Sequence, residues 1–350
     1  MIIEPRPSVS IIRAGLAPLW AILFAMALCA VLIAWAGASV PNAYALLFKG
    51  AFGSEFAINE TLTRSIPLIF TGLAASIAFR AKFYNIGAEG QLYAGALAAT
   101  FFGTGLITLP PVLMIPFLVL VGALAGGLLL LVPVLLKPKL KVDEVVTTLL
   151  LNFIVLLIVS YLIEGPWKDP MSLGWPQAAS IIDEGVLPPL LGKGRLHAGL
   201  LLALAMAVLM WVMIRFTVQG YEIRAVGNNS KAAEFSGIKV NRTVIMTAMI
   251  SGGLAGMAGV SETAGLKGYL TLDLSPGFGY TGIAVAMLAQ LNPLAVIPAA
   301  IFLSAVYVGS DAMSRAINIP TYIADVLVGV SVLAVLCSVM FSQYKVRFRK

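Results

Sequence analysis

Ten apolar runs occupy most of the sequence, and they constrain its fold more than any other feature. Of the 350 residues, 60% are hydrophobic and only 11% are charged, whereas a soluble domain has about 25% charged residues. A chain with so few polar side chains cannot cover a water-facing surface, so lipid must be its outer solvent. The runs, with approximate ends, are 16–40, 61–79, 86–103, 111–136, 145–163, 197–216, 244–264, 277–291, 294–310 and 322–341.

These runs predict an all-α fold, a polytopic transmembrane helical bundle of about ten passes in a single domain, residues 1–350. The runs 86–103 and 277–291 are short and rich in Gly and Ala, which is typical of broken or re-entrant segments. The first run exceeds the 7–15 residues of a signal-peptide core. We therefore expect it to be a retained span, with a cleaved signal as the alternative.

The distribution of Lys and Arg predicts the orientation, because cytoplasmic loops carry an excess of both. With the N-terminus inside and ten crossings, 16 of the 23 basic residues fall on the cytoplasmic side. Both termini are then cytoplasmic, 164–196 is a long periplasmic loop, and 217–243 is a long cytoplasmic loop. The net charge of +7 therefore reports topology and does not indicate nucleic-acid binding.

The loop 217–243 contains a predicted short helix. Asn229 or Ser230 can cap a helix over 231–236, and Gly237 can end it. A short helix at the cytoplasmic face can dock into a groove on a partner. An ordinary solvated loop is the alternative.

The segment 85–91, Asn-Ile-Gly-Ala-Glu-Gly-Gln, places a carboxylate at the start of a Gly/Ala-rich run. A carboxylate at the bilayer centre costs about 2.5–3.5 kcal/mol on insertion scales. We therefore expect Glu89 to face a polar cavity or a partner, or to lie near the cytoplasmic face. The alternative is a packing motif in which the glycines let helices approach and a helix N-terminus stabilises Glu89.

Four stretches in the same order resemble the nucleoside-type ABC permeases of the branched-chain amino acid and simple-sugar permease superfamily. They are FYNIGAEGQ (83–91), KVDEVVTTLLLN (141–152), YEIRAVGNNSKAAEFSGI (221–238) and GYTGIAVAMLAQLN (279–292). The resemblance runs from about Thr61 to the C-terminus. It implies a subunit of an inner-membrane importer for nucleosides or related sugars.

The resemblance also implies partners. These are an ABC ATPase subunit, a second permease subunit, and a periplasmic or lipoprotein substrate-binding protein of the basic-membrane-lipoprotein type. The Asn-Ile-Gly-x-Glu-Gly-Gln form matches the longer permease of a pair, which implies a heterodimer. The loop 221–237 would couple to the ATPase, and its candidate residues are Glu222, Arg224, Gly227, Ala232, Ala233, Glu234 and Gly237.

Polar side chains inside the apolar runs are candidates for the substrate path. Nucleosides present hydroxyls and base edges that uncharged polar side chains can bind. The alternative for each residue is a hydrogen bond to a neighbouring helix, worth about 0.6 kcal/mol on average. The path candidates are Asn85, Glu89, Gln91, Asn152, Tyr280 and Thr281.

Several reaction classes find no support in the sequence. No G-x-x-x-x-G-K-[ST] P-loop occurs, so ATP use is expected on a separate subunit. One His and two Cys in apolar runs offer no credible catalytic arrangement or metal cluster, so we expect neither an enzyme nor a cofactor. The competing hypothesis is an ion-coupled secondary transporter of a small polar solute, with Glu89 or Asp325 as its acidic site.

Overall fold

The fold is helical in the computed structural model, which describes residues 2–5, 23–24, 26–140, 142–191, 194–317 and short pieces between 322 and 347. Within these ranges the helices are α1 (Met26–Trp35), α2 (Val40–Phe52), α3 (Glu55–Arg80), α4 (Ala88–Gly103), α5 (Pro111–Leu140), α6 (Glu144–Glu164), α7 (Gly199–Phe216), α8 (Val218–Asn228), α9 (Ser230–Phe235), α10 (Val240–Val260), α11 (Phe278–Leu288) and α12 (Pro293–Ile317). A 3₁₀ turn covers Asp183–Gly185, and a π-helical turn, Ser261–Lys267, continues α10. A ribbon that the sequence did not predict pairs β1 (Ile2–Pro5) antiparallel with β2 (Tyr344–Arg347).

The chain divides into two compact units, Met1–Thr61 with Ile301–Lys350, and Leu62–Ala300. In the first unit, α1 and α2 are bent by 118° relative to each other. Gly37 lies between them at φ +80°, a conformation that glycine adopts without a steric penalty, and Pro41 lies in the first turn of α2. The predicted run 16–40 therefore ends as a helix at Trp35, and α2 forms where the sequence predicted none.

The second unit is built around α4, α5 and α10, which cross at glycines. A Cβ added to Gly95 of α4 would overlap the carbonyl of Gly256 in α10, and one added to Gly126 of α5 would overlap the carbonyl of Gly252. Small residues at such crossings let helix backbones approach closely, which is how helices commonly pack in membranes. The three backbones are therefore in direct contact.

The outer helices of this unit present apolar faces. In their most hydrophobic stretches, α10 with its π-helical continuation is 72% buried, whereas α6 is 28% buried and α7 is 33% buried. The exposed side chains on α6 include Leu150, Phe153 and Leu157. Lipid is the solvent that such faces need.

Six of the described helices are long and apolar enough to cross a membrane, or seven if α1 and α2 count as one bent span. The two Gly/Ala-rich segments are short, as predicted. The 16 residues of α4 reach about 24 Å and the 11 residues of α11 about 16 Å, less than the roughly 30 Å bilayer core. The tenth predicted run, 322–341, and the start of the first lie largely outside the described residues.

The loop 164–196 packs against the bundle. Ile181 and Leu187 join a buried apolar cluster with Met114 and Leu118 of α5. The Ile181 amide donates to the carbonyl of Gly268 at 2.8 Å. These contacts hold the described part of the loop as an ordered cap over one end of the helices.

Candidate functional site

Asn85 and Gln91 form a closed hydrogen-bonded pair at the start of α4. Asn85 Nδ2 donates to Gln91 Oε1 at 2.9 Å, and Gln91 Nε2 donates to Asn85 Oδ1 at 2.9 Å. Asn85 Nδ2 also donates to Ser251 Oγ of α10 at 3.0 Å, and Ser251 Oγ donates to the Ala74 carbonyl of α3 at 2.7 Å. Both amides are buried. The pair therefore joins three helices.

Asn152 on α6 connects two further elements to this region. Its Nδ2 donates to the Ile86 carbonyl and to the Tyr280 hydroxyl, both at 3.0 Å, while its Oδ1 accepts from the Gly90 amide at 2.8 Å. A Cβ on Gly90 would lie 2.9 Å from that Oδ1. A glycine is needed there because any side chain would displace the Asn152 amide.

Glu89 lies where two helix N-termini meet. It is in the first turn of α4, it is buried, and its Oε2 accepts from the Gly279 amide in the first turn of α11 at 2.6 Å. A Cβ on Gly279 would lie 2.5 Å from the Glu89 Cα. Both helix dipoles favour a negative charge at this point. This geometry matches the packing interpretation of the motif.

Tyr280 and Thr281 on α11 are the path candidates that reach the surface of the chain. Tyr280 is 39% exposed and Thr281 is half-buried. Because the Tyr280 oxygen accepts from Asn152, its own O–H remains able to donate to a ligand. Thr281 Oγ1 donates to the Gly277 carbonyl at 3.1 Å. The structure thus brings Asn152 and Tyr280 together directly.

The predicted short helix in the loop 217–243 is confirmed as α9. Asn229 Oδ1 accepts from the amides of Lys231 and Ala232 at 3.1 and 3.2 Å, which is the cap expected for this residue. At the other end, Gly237 adopts φ +86°, and the Ile238 amide donates to the Ala233 carbonyl at 3.0 Å. This is the left-handed glycine ending that the sequence indicated.

Three of the coupling candidates fasten α8 to the bundle. Glu222 Oε2 accepts from Thr243 Oγ1 of α10 at 3.2 Å, and Arg224 donates to the Ile214 carbonyl of α7. Gly227 is buried, and a Cβ there would overlap the carbonyl of the last residue of α3. These residues therefore hold α8 in place.

The other coupling candidates lie on or beside α9. Ala232, Glu234 and Gly237 are exposed. Ala233 is the buried residue of α9, so it lies on the face of α9 that packs against the protein. Phe235, at the end of α9, is 95% exposed. Phe235 was not among the sequence-predicted candidates, although an aromatic residue in a capped loop helix was the available signal.

A second exposed apolar group lies in the loop 164–196. Met171, Leu173 and Trp175 are all exposed there, and Leu173 has φ +51°. This group was not predicted from the sequence. An exposed cluster of large apolar side chains is typical of a protein-binding surface.

Comparison with known proteins identifies the family to which this chain belongs. Residues 57–336 match the family model for the branched-chain amino acid transport system permease component. A guanosine ABC transporter permease of Bacillus subtilis is 33% identical, over 95% of this chain and 94% of that protein. A glucose ABC transporter permease of Haloferax volcanii is 32% identical, over 98% and 93%. A nucleoside ABC transporter permease of Lactococcus lactis is 32% identical, over 87% and 85%.

Proposed function

Because the chain belongs to the family of branched-chain amino acid transport system permease components, we propose that it translocates nucleosides or related sugars by alternating access, as the membrane-spanning permease subunit of a bacterial ABC importer. The carrying observation is the likeness to guanosine, nucleoside and glucose permeases over at least 87% of this chain. Energy comes from a separate ATPase, since the chain has no P-loop.

We propose an inner-membrane topology of ten passes with both termini in the cytoplasm. The excess of Lys and Arg on the assigned cytoplasmic side supports this orientation. The partners are an ABC ATPase, a second permease subunit in a heterodimer, and a periplasmic or lipoprotein binding protein. The exposed cluster of Met171, Leu173 and Trp175 would contact the binding protein.

We propose that the substrate passes along the exposed side of α11. The Tyr280 hydroxyl oxygen already accepts a hydrogen bond from Asn152 Nδ2. Its proton is therefore the part that donates to a substrate oxygen or nitrogen. Thr281 lies beside it on the same half-buried helix. The buried set of Asn85, Glu89 and Gln91 holds α4 and α11 in position behind this surface.

The proposed coupling element is α9. Its exposed Glu234 and Phe235 would enter a groove on the ATPase, while buried Ala233 anchors the helix. Glu222, Arg224 and Gly227 carry the displacement from α8 to α7, α10 and the end of α3, because each contacts one of those helices.

Uptake by the reconstituted transporter tests the proposal. The chain is placed in proteoliposomes with its ATPase, second permease and binding protein, and labelled guanosine and glucose are offered with and without ATP. We expect accumulation of one of these solutes that requires ATP, the ATPase and the binding protein. Accumulation by this chain alone on a proton or sodium gradient would instead establish the secondary-transporter hypothesis.

A further inference from the structure

A cavity of about 820 Å³ lies beside the coupling region, and neither the substrate path nor the ATPase contact accounts for it. Its walls come from the turn after α3, the end of α5, the junction of α8 and α9, and the start of α10. One part of the lining is basic and amide-rich, and the other part is aliphatic. A cavity with both kinds of wall fits an amphiphile better than a fully polar solute.

The basic part of the cavity carries an excess of positive charge. Lys82, Lys137 and Lys231 line it, and none of the described lining residues is acidic. Lys137 Nζ pairs with Glu144 at 2.7 Å, while Lys82 and Lys231 are exposed and make no ion pair with a residue in the described ranges. Asn228, Asn229 and Asn241 add amide groups.

The aliphatic part continues onto the outer surface of the bundle. Val134 and Leu135 of α5 line the cavity together with Val244 and Ile245 of α10. Leu135 also ends a stripe along α5, whose members are 45–55% exposed: Leu124, Leu128, Val132 and Leu135. Residues three and four apart share one helix face. The stripe therefore leads from the lipid-facing surface of α5 into the cavity.

We propose that this cavity binds the headgroup of one anionic phospholipid, whose acyl chain follows the stripe on α5. Basic pockets between membrane helices on the cytoplasmic side are suited to such headgroups. The choice of the inner leaflet rests on the proposed topology. Because α8 and α9 form one wall of the cavity, the bound lipid bridges the end of α5 and the coupling region.

Native mass spectrometry of the purified full-length chain tests this site. The protein is titrated with phosphatidylglycerol and with phosphatidylcholine of the same acyl chains. We expect phosphatidylglycerol to bind at least tenfold more tightly, and the double variant Lys82→Gln/Lys231→Gln to lose most of that preference. The matched control, Lys49→Gln/Lys168→Gln, removes the same charge at two exposed lysines outside the cavity lining and should bind as the wild type does.

Further variants separate the alternatives. Lys82→Arg/Lys231→Arg keeps the charge and should retain the preference, which keeps the test decisive if the glutamine variant does not fold. The proposal is overturned if the glutamine variant folds and keeps the preference, or if millimolar inorganic phosphate displaces the lipid, since that would indicate a site for free anions. Binding is measured without transport, so this outcome is independent of whether the importer proposal succeeds.

Discussion

The buried amide side chains near the start of α4 and on α6 bond to other elements of the same chain. Asn85, Gln91 and Asn152 satisfy nearly all of their amide groups with protein partners. An unsatisfied polar group in a membrane costs several kcal/mol, which is why these amides are paired. Tyr280 differs because its hydroxyl accepts a hydrogen bond and still has a proton to donate.

Replacing Tyr280 by Phe removes that donor and leaves the ring in place. A neutral hydrogen bond contributes about 0.5–1.5 kcal/mol, so we expect substrate uptake at low concentration to fall about 2- to 10-fold. Initial uptake rates in proteoliposomes measure the effect. Tyr161→Phe on the exposed side of α6 is the control and should transport normally. An unchanged rate for Tyr280→Phe would remove Tyr280 from the path.

Glu89 distinguishes the two transport hypotheses. Glu89→Gln keeps an oxygen that can accept from the Gly279 amide, so we expect a folded transporter with near-normal uptake. Glu89→Ala loses that acceptor and is expected to lower stability by about 1.5–3 kcal/mol, the usual value for hydrogen bonds to charged groups. Thermal denaturation in detergent measures the stability of each variant, and uptake assays measure its transport. A folded Glu89→Gln variant that cannot transport would mean that the carboxyl must ionise, as an ion-coupled transporter requires.

Short helices with local end signals were the most predictable elements. α9 is capped by Asn229 and ends before Gly237, and both ends could be predicted because their cap hydrogen bonds join residues within five positions of each other. α2 was missed, since its apolar and polar residues do not form a long run and its start depends on the turn at Gly37. Local signals predict a helix only where they are strong.

Reversing the charge of Glu234 tests α9 as the coupling element. Glu234 is exposed, so Glu234→Lys should fold normally and reduce ATP-driven uptake at least tenfold by disturbing the ATPase contact. Reconstituted uptake and ATP hydrolysis are measured together. Glu184→Lys, at an exposed acid of the loop 164–196, is the matched control. Normal coupling in Glu234→Lys would exclude α9. Arg224 is a poor choice for this test, because it donates to the Ile214 carbonyl and its loss would disturb α8.

The assembly of the second unit depends on the crossing of α4, α5 and α10. Gly95, Gly126, Gly252 and Gly256 bring the backbones together, and Asn85 and Glu89, near the start of α4, add hydrogen bonds to α10 and α11. Van der Waals packing and hydrogen bonds drive helix association in lipid, where the hydrophobic effect contributes little. A change at the crossing should therefore affect the whole bundle.

Gly256→Val tests this dependence. A Cβ at Gly256 would overlap the Gly122 carbonyl, and overpacking of this kind costs typically 1–3 kcal/mol. We expect a lower melting temperature and reduced yield of folded protein, measured by thermal denaturation in detergent. Ala205→Val adds bulk on an exposed position of α7 and should be neutral. If Gly256→Val melted at the wild-type temperature, the close crossing would be incorrect.

The amino-acid sequence was sufficient for the properties that depend on composition or on near neighbours. The apolar runs indicated a membrane solvent, the short Gly/Ala-rich segments indicated α4 and α11, and Asn229 with Gly237 indicated α9. The tertiary structure was needed to pair Asn85 with Ser251, 166 positions apart, and Glu89 with Gly279, 190 positions apart. Hydrophobic periodicity and caps carry no information about such distant partners. The partner of a buried polar group is decided by which helices pack together, and that depends on the shape of the whole bundle.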